Sequence, residues 1–250
     1  MKVMNNPMEE SKAFPLIMTY STPAIIALLI SAIYNIVDRM FVGNYVGDLG
    51  LAALSVCFPI TFIMIGIGLL ASAGGGTLFA LKLGEKDMEG ANRAFGNAFS
   101  YVLILELVVT VLLLLIGQKF LRLLGASDVV YPMAKQYYDI VVFGSVFQGL
   151  TFVLNDFTRV SGKVFLALLI TGSGAIVNII LDAIFVIGFG WGVQGAALAT
   201  VIGQVISTLI GLWVIFGRKT ILKPKKNDFK LDPSIIQEIT KLGVALFIAQ

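Results

Sequence analysis

The chain has no histidine, a single cysteine, and charge on only 13% of its 250 residues. Without histidine there is no imidazole to relay protons and no Cys/His zinc site, and a lone Cys57 cannot build a disulfide framework. No Ser/His or Cys/His set is available for nucleophilic catalysis, and no paired-Asp metal motif occurs, so the sequence does not read as an enzyme. Any proton or cation chemistry falls to carboxylates. Charge is also scarce overall, at about half the share of an ordinary soluble domain.

What stands in place of charge is apolar length. Hydrophobic residues make up 58% of the chain and the mean hydropathy is +0.93. Apolar runs cover Ala13–Met40, Leu51–Leu81, Ala98–Gly117, Tyr137–Leu154, Val164–Phe189 and Val193–Phe216. Most reach the roughly 20 residues that a bilayer-spanning helix needs. A soluble core does not produce six such runs separated by short polar loops, and in lipid only helices or closed barrels satisfy their backbone. The expected class is therefore an all-α polytopic membrane protein. The first run counts as a span and not a cleaved leader, because Glu9 and Glu10 sit where a basic stretch belongs.

Orientation follows from the 18 Lys and Arg. Arg39, Lys119, Arg122 and Lys135 fall on one side of the predicted membrane and all the others on the opposite side. Positive charge favours the cytoplasm, which puts the N-terminus and the basic stretch after span six inside. That stretch carries most of the net charge of +3, so topology and lipid headgroups account for it and nucleic-acid binding is not expected. The predicted organisation is a six-helix lobe over 1–216, a basic cytoplasmic loop over 217–241, and the start of a seventh span over 242–250. Asp232 and Pro233 read as an N-cap and first helical residue. The apolar residues from Leu242 onward are too few to cross a bilayer, so the sequence reads as stopping within that span. A short amphipathic tail on the inner surface is the alternative.

Two segments repeat. "NIVDRMFVGNYVGDLGLAALS" from Asn35 and "NIILDAIFVIGFGWGVQGAALAT" from Asn178 share N-I, an Asp, F-V after two intervening residues, a G-x-x-G turn and A-A-L. Repeats of this kind often frame a transporter's binding site. Four spans separate them, so both helices run the same way and present Asp38 and Asp182 at similar depth. Each Asp precedes the first glycine of its turn, Gly43 or Gly188, by five or six residues, or roughly 8 Å of helix. Carboxylates at that depth are costly and normally face a bundle interior or a water-filled cavity. The alternative is a carboxylate that only bonds a neighbouring helix, or, for Asp38, one that pairs with Arg39.

Other polar residues fit a cavity. Asn178 and Asp182 are four apart on one helix face, as are Thr200 and Gln204 on the next span. Asn155 lies near the inner end of span four. Amides and hydroxyls also glue membrane helices together, so each is weak alone. Glu106 interrupts "YVLILELVVTVLLLLIG" and has no counterpart in the repeat, and its facing is open. Asp139 follows Tyr137 and Tyr138 near a boundary and reads as interfacial. Gly74, Gly75 and Gly76 lack the Lys-Ser/Thr of a phosphate loop and read as a site of close packing. Pro23 predicts a kink in span one.

Taken together, "YNIVDRMFVG", "GLAALSVCFPI", "VNIILDAIFVIGFGWGVQGAALAT" and the basic stretch after span six resemble the N-terminal half of a multidrug and toxic compound extrusion (MATE) transporter. The likeness is to the prokaryotic branch related to DNA-damage-inducible drug efflux proteins and covers essentially the whole chain. It implies a fold of twelve helices in two six-helix lobes around a cleft, in the cell (plasma) membrane. It also implies export of cationic or lipophilic compounds in exchange for protons or sodium. By that resemblance Asp38, Asn155, Asn178, Asp182 and Thr200 are ion- or substrate-binding residues, with Asp38, Asn178 and Asp182 as sodium ligands if sodium is the ion, and Pro23 is the bending proline. No cofactor is implied beyond H+ or Na+.

The expected mechanism is carboxylate exchange. Asp38 and Asp182 take up the ion, span one rebends at Pro23, and the hold on a cationic substrate weakens. The expected partners are a small cationic or lipophilic substrate, membrane lipids, and a second six-helix lobe or a second copy of the chain. Two other readings remain. A lipid-linked oligosaccharide flippase of the same superfamily would carry basic residues in the cavity, and a non-transporting half-protein would only bind the coupling ion.

Overall fold

The computed structural model describes residues 13–249, and the side chains of 13–21, Pro23, Ala24, Leu28 and Gln118 lie outside the described set. The orientation residues Lys2 and Lys12 and the leader residues Glu9 and Glu10 are also outside it. Seven α-helices follow one another: α1 Ala13–Tyr45, α2 Asp48–Gly84, α3 Met88–Leu123, α4 Tyr131–Val160, α5 Val164–Asp182, α6 Gly192–Phe216 and α7 Pro233–Ile248. The first six are long and apolar enough to cross a membrane. A π-helical turn, Ala183–Gly188, continues α5, and a 3-10 turn, Lys226–Phe229, precedes α7. Pro23 falls inside α1, and the predicted bending role rests on a side chain outside the described residues.

The two repeat segments form equivalent hairpins. Their shared G-x-x-G places Gly47 at φ 82° and Gly192 at φ 56°, left-handed backbone that lets the chain reverse between α1 and α2 and between α5 and α6. The last glycine of each motif allows close crossing: a Cβ at Gly50 would lie 2.8 Å from the Val46 side chain, and one at Gly195 would lie 2.9 Å from that of Phe185. The hairpins then pack on each other. Val42 and Leu54 of the first join Val186, Val193 and Ala196 of the second in one buried cluster. Val42 and Val186 each stand four residues beyond an Asp of the repeat. The packing that buries them therefore brings Asp38 and Asp182 to the same place.

α4 is central and packs on α2, α3 and α6, while α1 lies mainly against α5. Glycines set the closest approaches. Gly75 meets Ala98 of α3 and the Phe157 ring of α4, Gly76 meets Asp156 of α4, and Gly74 meets the backbone of α7. The glycine triplet is thus a three-way packing point, in keeping with its sequence reading.

The segment after α6 folds back on α3. Asn97 accepts from the Asp232 N–H at 2.7 Å and donates to the Asp228 carbonyl at 3.2 Å, and Ser100 donates to the Phe229 carbonyl at 2.8 Å. Phe229 stacks among Phe95, Phe99 and Phe216. The seventh helix begins at Pro233, nine residues before the predicted boundary at 242, because the Asp-Pro start signal operates and the polar turn that follows is already helical. Buried Ile239 and Gly243 seat α7 against α2 rather than leaving it as a surface tail.

Asp232 caps α7. The Ser234 hydroxyl, at 2.6 Å, and N–H, at 3.0 Å, both donate to it, and with Arg93 at 2.6 Å they hold its carboxyl below the usual range. A carboxyl lowered on folding stabilises above its unfolded value and loses that contribution as pH falls through the folded one. Acidification below about pH 4 is therefore expected to fray the first turn of α7. Asp232→Ala should do so at neutral pH, read as faster amide exchange at Ser234 and Ile235, and unchanged exchange would contradict the cap.

Candidate functional site

The carboxyl groups of Asp38 and Asp182 lie within hydrogen-bonding reach of each other. Asp182 is 0% exposed and Asp38 8%. Neither can donate as a carboxylate. Asp38 Oδ1 and both Asp182 oxygens have no hydrogen-bond partner. Arg39 makes no direct ion pair with Asp38, its guanidinium lying over the Phe58 ring 4.1 Å from the centroid, although its charge still reaches the carboxylate through space. Tyr34 and Tyr137 stand close enough to feel the Asp38 charge and complete the polar surroundings.

One helical turn before Asp182, Asn178 donates to the Thr200 hydroxyl at 3.3 Å. Its own Oδ1 is without a partner, as is the Gln204 Oε1 one turn beyond Thr200. α5 and α6 come this close because both are glycine where they cross. A Cβ at Gly174 would lie 2.6 Å from the Gly203 carbonyl oxygen, and one at Gly203 would lie 2.7 Å from that of Gly174. Among the described residues, every buried side-chain polar atom lacking a partner is an oxygen. The unpartnered atoms of this strip are all acceptors, so a proton or a cation is their chemical complement.

A cavity of about 460 Å³ opens beside this strip, lined by α1, α2, α4, α5 and α6. Asn178, Thr200 and Gln204 line it, together with Ser31, Tyr34, Thr151 and Ser207. Asp38 and Asp182 do not. The expectation that the two carboxylates face the cavity is therefore corrected: they sit one turn beyond its Asn178 wall, sealed by the packed hairpins. Asn155 lines the cavity but stands apart from the pair, its amide donating at 2.7 Å to both the Ala167 carbonyl and the Thr171 hydroxyl. Asn178, bonded to Thr200 in the cavity wall and one turn before Asp182, is the link between cavity and carboxylates.

Two residues not singled out in the sequence also line the cavity. Asp156 and Arg159 form an ion pair three residues apart at its basic end. Their spacing reads as an ordinary helix-end pair, and only the fold turns it toward a cavity. Arg159 is matched by Asp156, so the cavity is not a basic pocket. Among the described residues no group of three or more His, Cys, Asp or Glu could hold a metal ion. A cation at the pair would rely on two carboxylates with Asn178 and Thr200 oxygens. Asp139 bonds Lys135 on the α4 surface, away from the site.

The MatE family profile matches residues 23–184. The multidrug export protein MepA of Staphylococcus saprophyticus is 30% identical over 243 residues, covering 96% of this chain and 53% of the relative. MepA of Staphylococcus haemolyticus is 32% identical, with the same two coverages. A crystal structure of a MATE protein in the bent conformation superposes with a TM-score of 0.87 at 28% identity, covering 94% of this chain and 52% of the other. An outward-facing multidrug resistance MATE transporter of the MOP superfamily superposes with the same TM-score and identity, covering 93% and 52%. The chain spans about half the length of the relatives it matches.

Proposed function

Because the chain belongs to the MatE family, we propose that it forms the ion-coupled lobe of an exporter of cationic or lipophilic compounds, working in exchange for protons or sodium across the cell membrane. The observation that carries this reading is the pair Asp38 and Asp182, buried together with unpartnered oxygens. Adjacent carboxylates without a directly bonded countercharge are strongly unfavourable in apolar surroundings. Uptake of a proton or a sodium ion relieves that cost, and its release restores it.

Transmission to substrate runs through Asn178. It bonds Thr200 on the cavity side and shares a helix face with Asp182 on the other. A change at the carboxylates that reorients the Asn178 amide changes the cavity wall directly. The 460 Å³ cavity, lined mainly by apolar side chains such as Leu69, Phe152 and Leu168 with a few hydroxyls and amides, suits part of a drug-sized ligand. Differential ion affinity between two conformations then drives the cycle. Asn155 holds α4 to α5 at the other end of the cavity and is assigned a supporting role.

The test is efflux of a fluorescent cationic dye from vesicles containing the chain, with a proton gradient or a sodium gradient imposed separately. Efflux that follows one gradient supports the proposal and names the ion, while flux indifferent to both contradicts it. Ala175→Trp, which projects an indole into the cavity, is expected to abolish dye flux and leave ion binding intact. Ion binding with no flux from the unaltered chain would favour the reading of a lobe that binds the ion without moving substrate.

A further inference from the structure

Glu106 stands apart from the site described above. It lies halfway along α3, whose main packing partners are α2, α4, the 3-10 turn and α7 rather than α1 or α5. It is 1% exposed, and both of its carboxyl oxygens are without a hydrogen-bond partner. Glycines make the room it fills. A Cβ at Gly149 of α4 would lie 2.9 Å from the Glu106 Cγ and Oε1, and a Cβ at Gly68 of α2 would lie 3.2 Å from the Gly149 Cα. Three helices thus close on one carboxyl group.

The hydroxyls nearby fix what that carboxyl meets. Thr110 donates to the Val142 carbonyl at 3.2 Å, and its Oγ1 lies 3.0 Å from Ser145 Oγ. The polar neighbour of Glu106 is this Ser145, whose hydroxyl is also engaged with Thr110.

Charge is distant on every element packed here. α2 carries Asp48 and Lys82 at its ends, with Cys57 between. On α4, Tyr131, Lys135, Tyr137, Tyr138 and Asp139 lie toward one end and Asp156 and Arg159 toward the other. The remaining titratable groups of α3 (Glu89, Arg93, Tyr101, Lys119 and Arg122), of the 3-10 turn (Lys226 and Asp228) and of α7 (Glu238 and Lys241) also lie away from it. An anion with no hydrogen-bond partner and no countercharge beside it is disfavoured at membrane depth.

We propose that Glu106 is a proton-binding site separate from the Asp38–Asp182 pair, holding a neutral acid at the α2–α3–α4 junction. The acid is stable only while the junction stays dry. Parting α3 from α4 would wet it and release its proton, which links helix packing to proton uptake.

Infrared difference spectroscopy of the chain in lipid vesicles at neutral pH, comparing wild type with Glu106→Gln, reads the protonation state directly. The expected result is loss of one protonated-acid C=O band in the variant, with the carboxylate bands unchanged. Loss of carboxylate intensity with the acid band retained would overturn the proposal. Failure of Glu106→Gln to fold would count against it too, because an amide of the same size replaces a neutral acid far better than it replaces an anion.

Discussion

Replacing Asp182 by Asn is expected to cut ion-driven dye efflux about tenfold or more, the scale of losing one partner of an ion-binding site. Asp182 contributes two unpartnered, fully buried oxygens to the acceptor strip, more than any other residue of it. Asn is nearly the same size and keeps the packing against the first hairpin, so the fold should survive. It cannot take up a proton and offers no charge to sodium. Initial efflux rates under a fixed gradient, measured across a range of pH and of sodium concentration, are the check. A variant whose rate and ion dependence match the wild type would remove Asp182 from the mechanism.

Gly203→Val is expected to have the largest effect on structure. A Cβ at 203 would lie 2.7 Å from the Gly174 carbonyl oxygen and 3.3 Å from the Asn178 Cβ. The closer obstacle is backbone and cannot rotate away, so α5 and α6 must part. Overpacking of this kind costs typically about 1–3 kcal/mol, and here it also pulls Thr200 from Asn178. The variant should melt several degrees lower in lipid or detergent and lose ion-driven flux. Gly172→Ala is the control on α5, because its Cβ would meet nothing nearer than Ile30 Cδ1 at 3.9 Å. Equal melting of Gly203→Val and wild type would mean that the helices do not cross as described.

Much of this was legible in the sequence because the governing signals are local. Spans follow from apolar length, and the repeat around Asp38 and Asp182 follows from matched residues at matched spacing. The equivalent glycines, Gly47 and Gly192, both take a positive φ. What stayed hidden depends on partners far apart in the chain. Asn155 looks from its position like a member of the polar cluster, yet its donors are taken by Ala167 and Thr171. Asn97 and Ser100 hold the segment around Phe229, and no periodicity connects them.

The π-helical turn after Asp182 leaves no mark in "AIFVIG". The separation of cavity from carboxylates was also hidden. Helix-face spacing puts Asn178 and Asp182 on one side, but it cannot say that the neighbouring hairpin covers one and leaves the other open. Glu106 is similar: composition marks it as unusual, and only the junction of Gly68 and Gly149 shows which way it points.

The central claim is that two hairpins of a repeat build one ion site from two carboxylates. Its most direct test is equilibrium ion binding to the wild type, Asp38→Asn, Asp182→Asn and the double variant in the same lipid, with protons followed by release on pH jump and sodium by titration. A single shared site predicts that each single variant loses binding as completely as the double, a strongly non-additive cycle. If instead each single variant retained about half of the bound ion and the losses simply added, the carboxylates would be independent sites and the claim would be wrong.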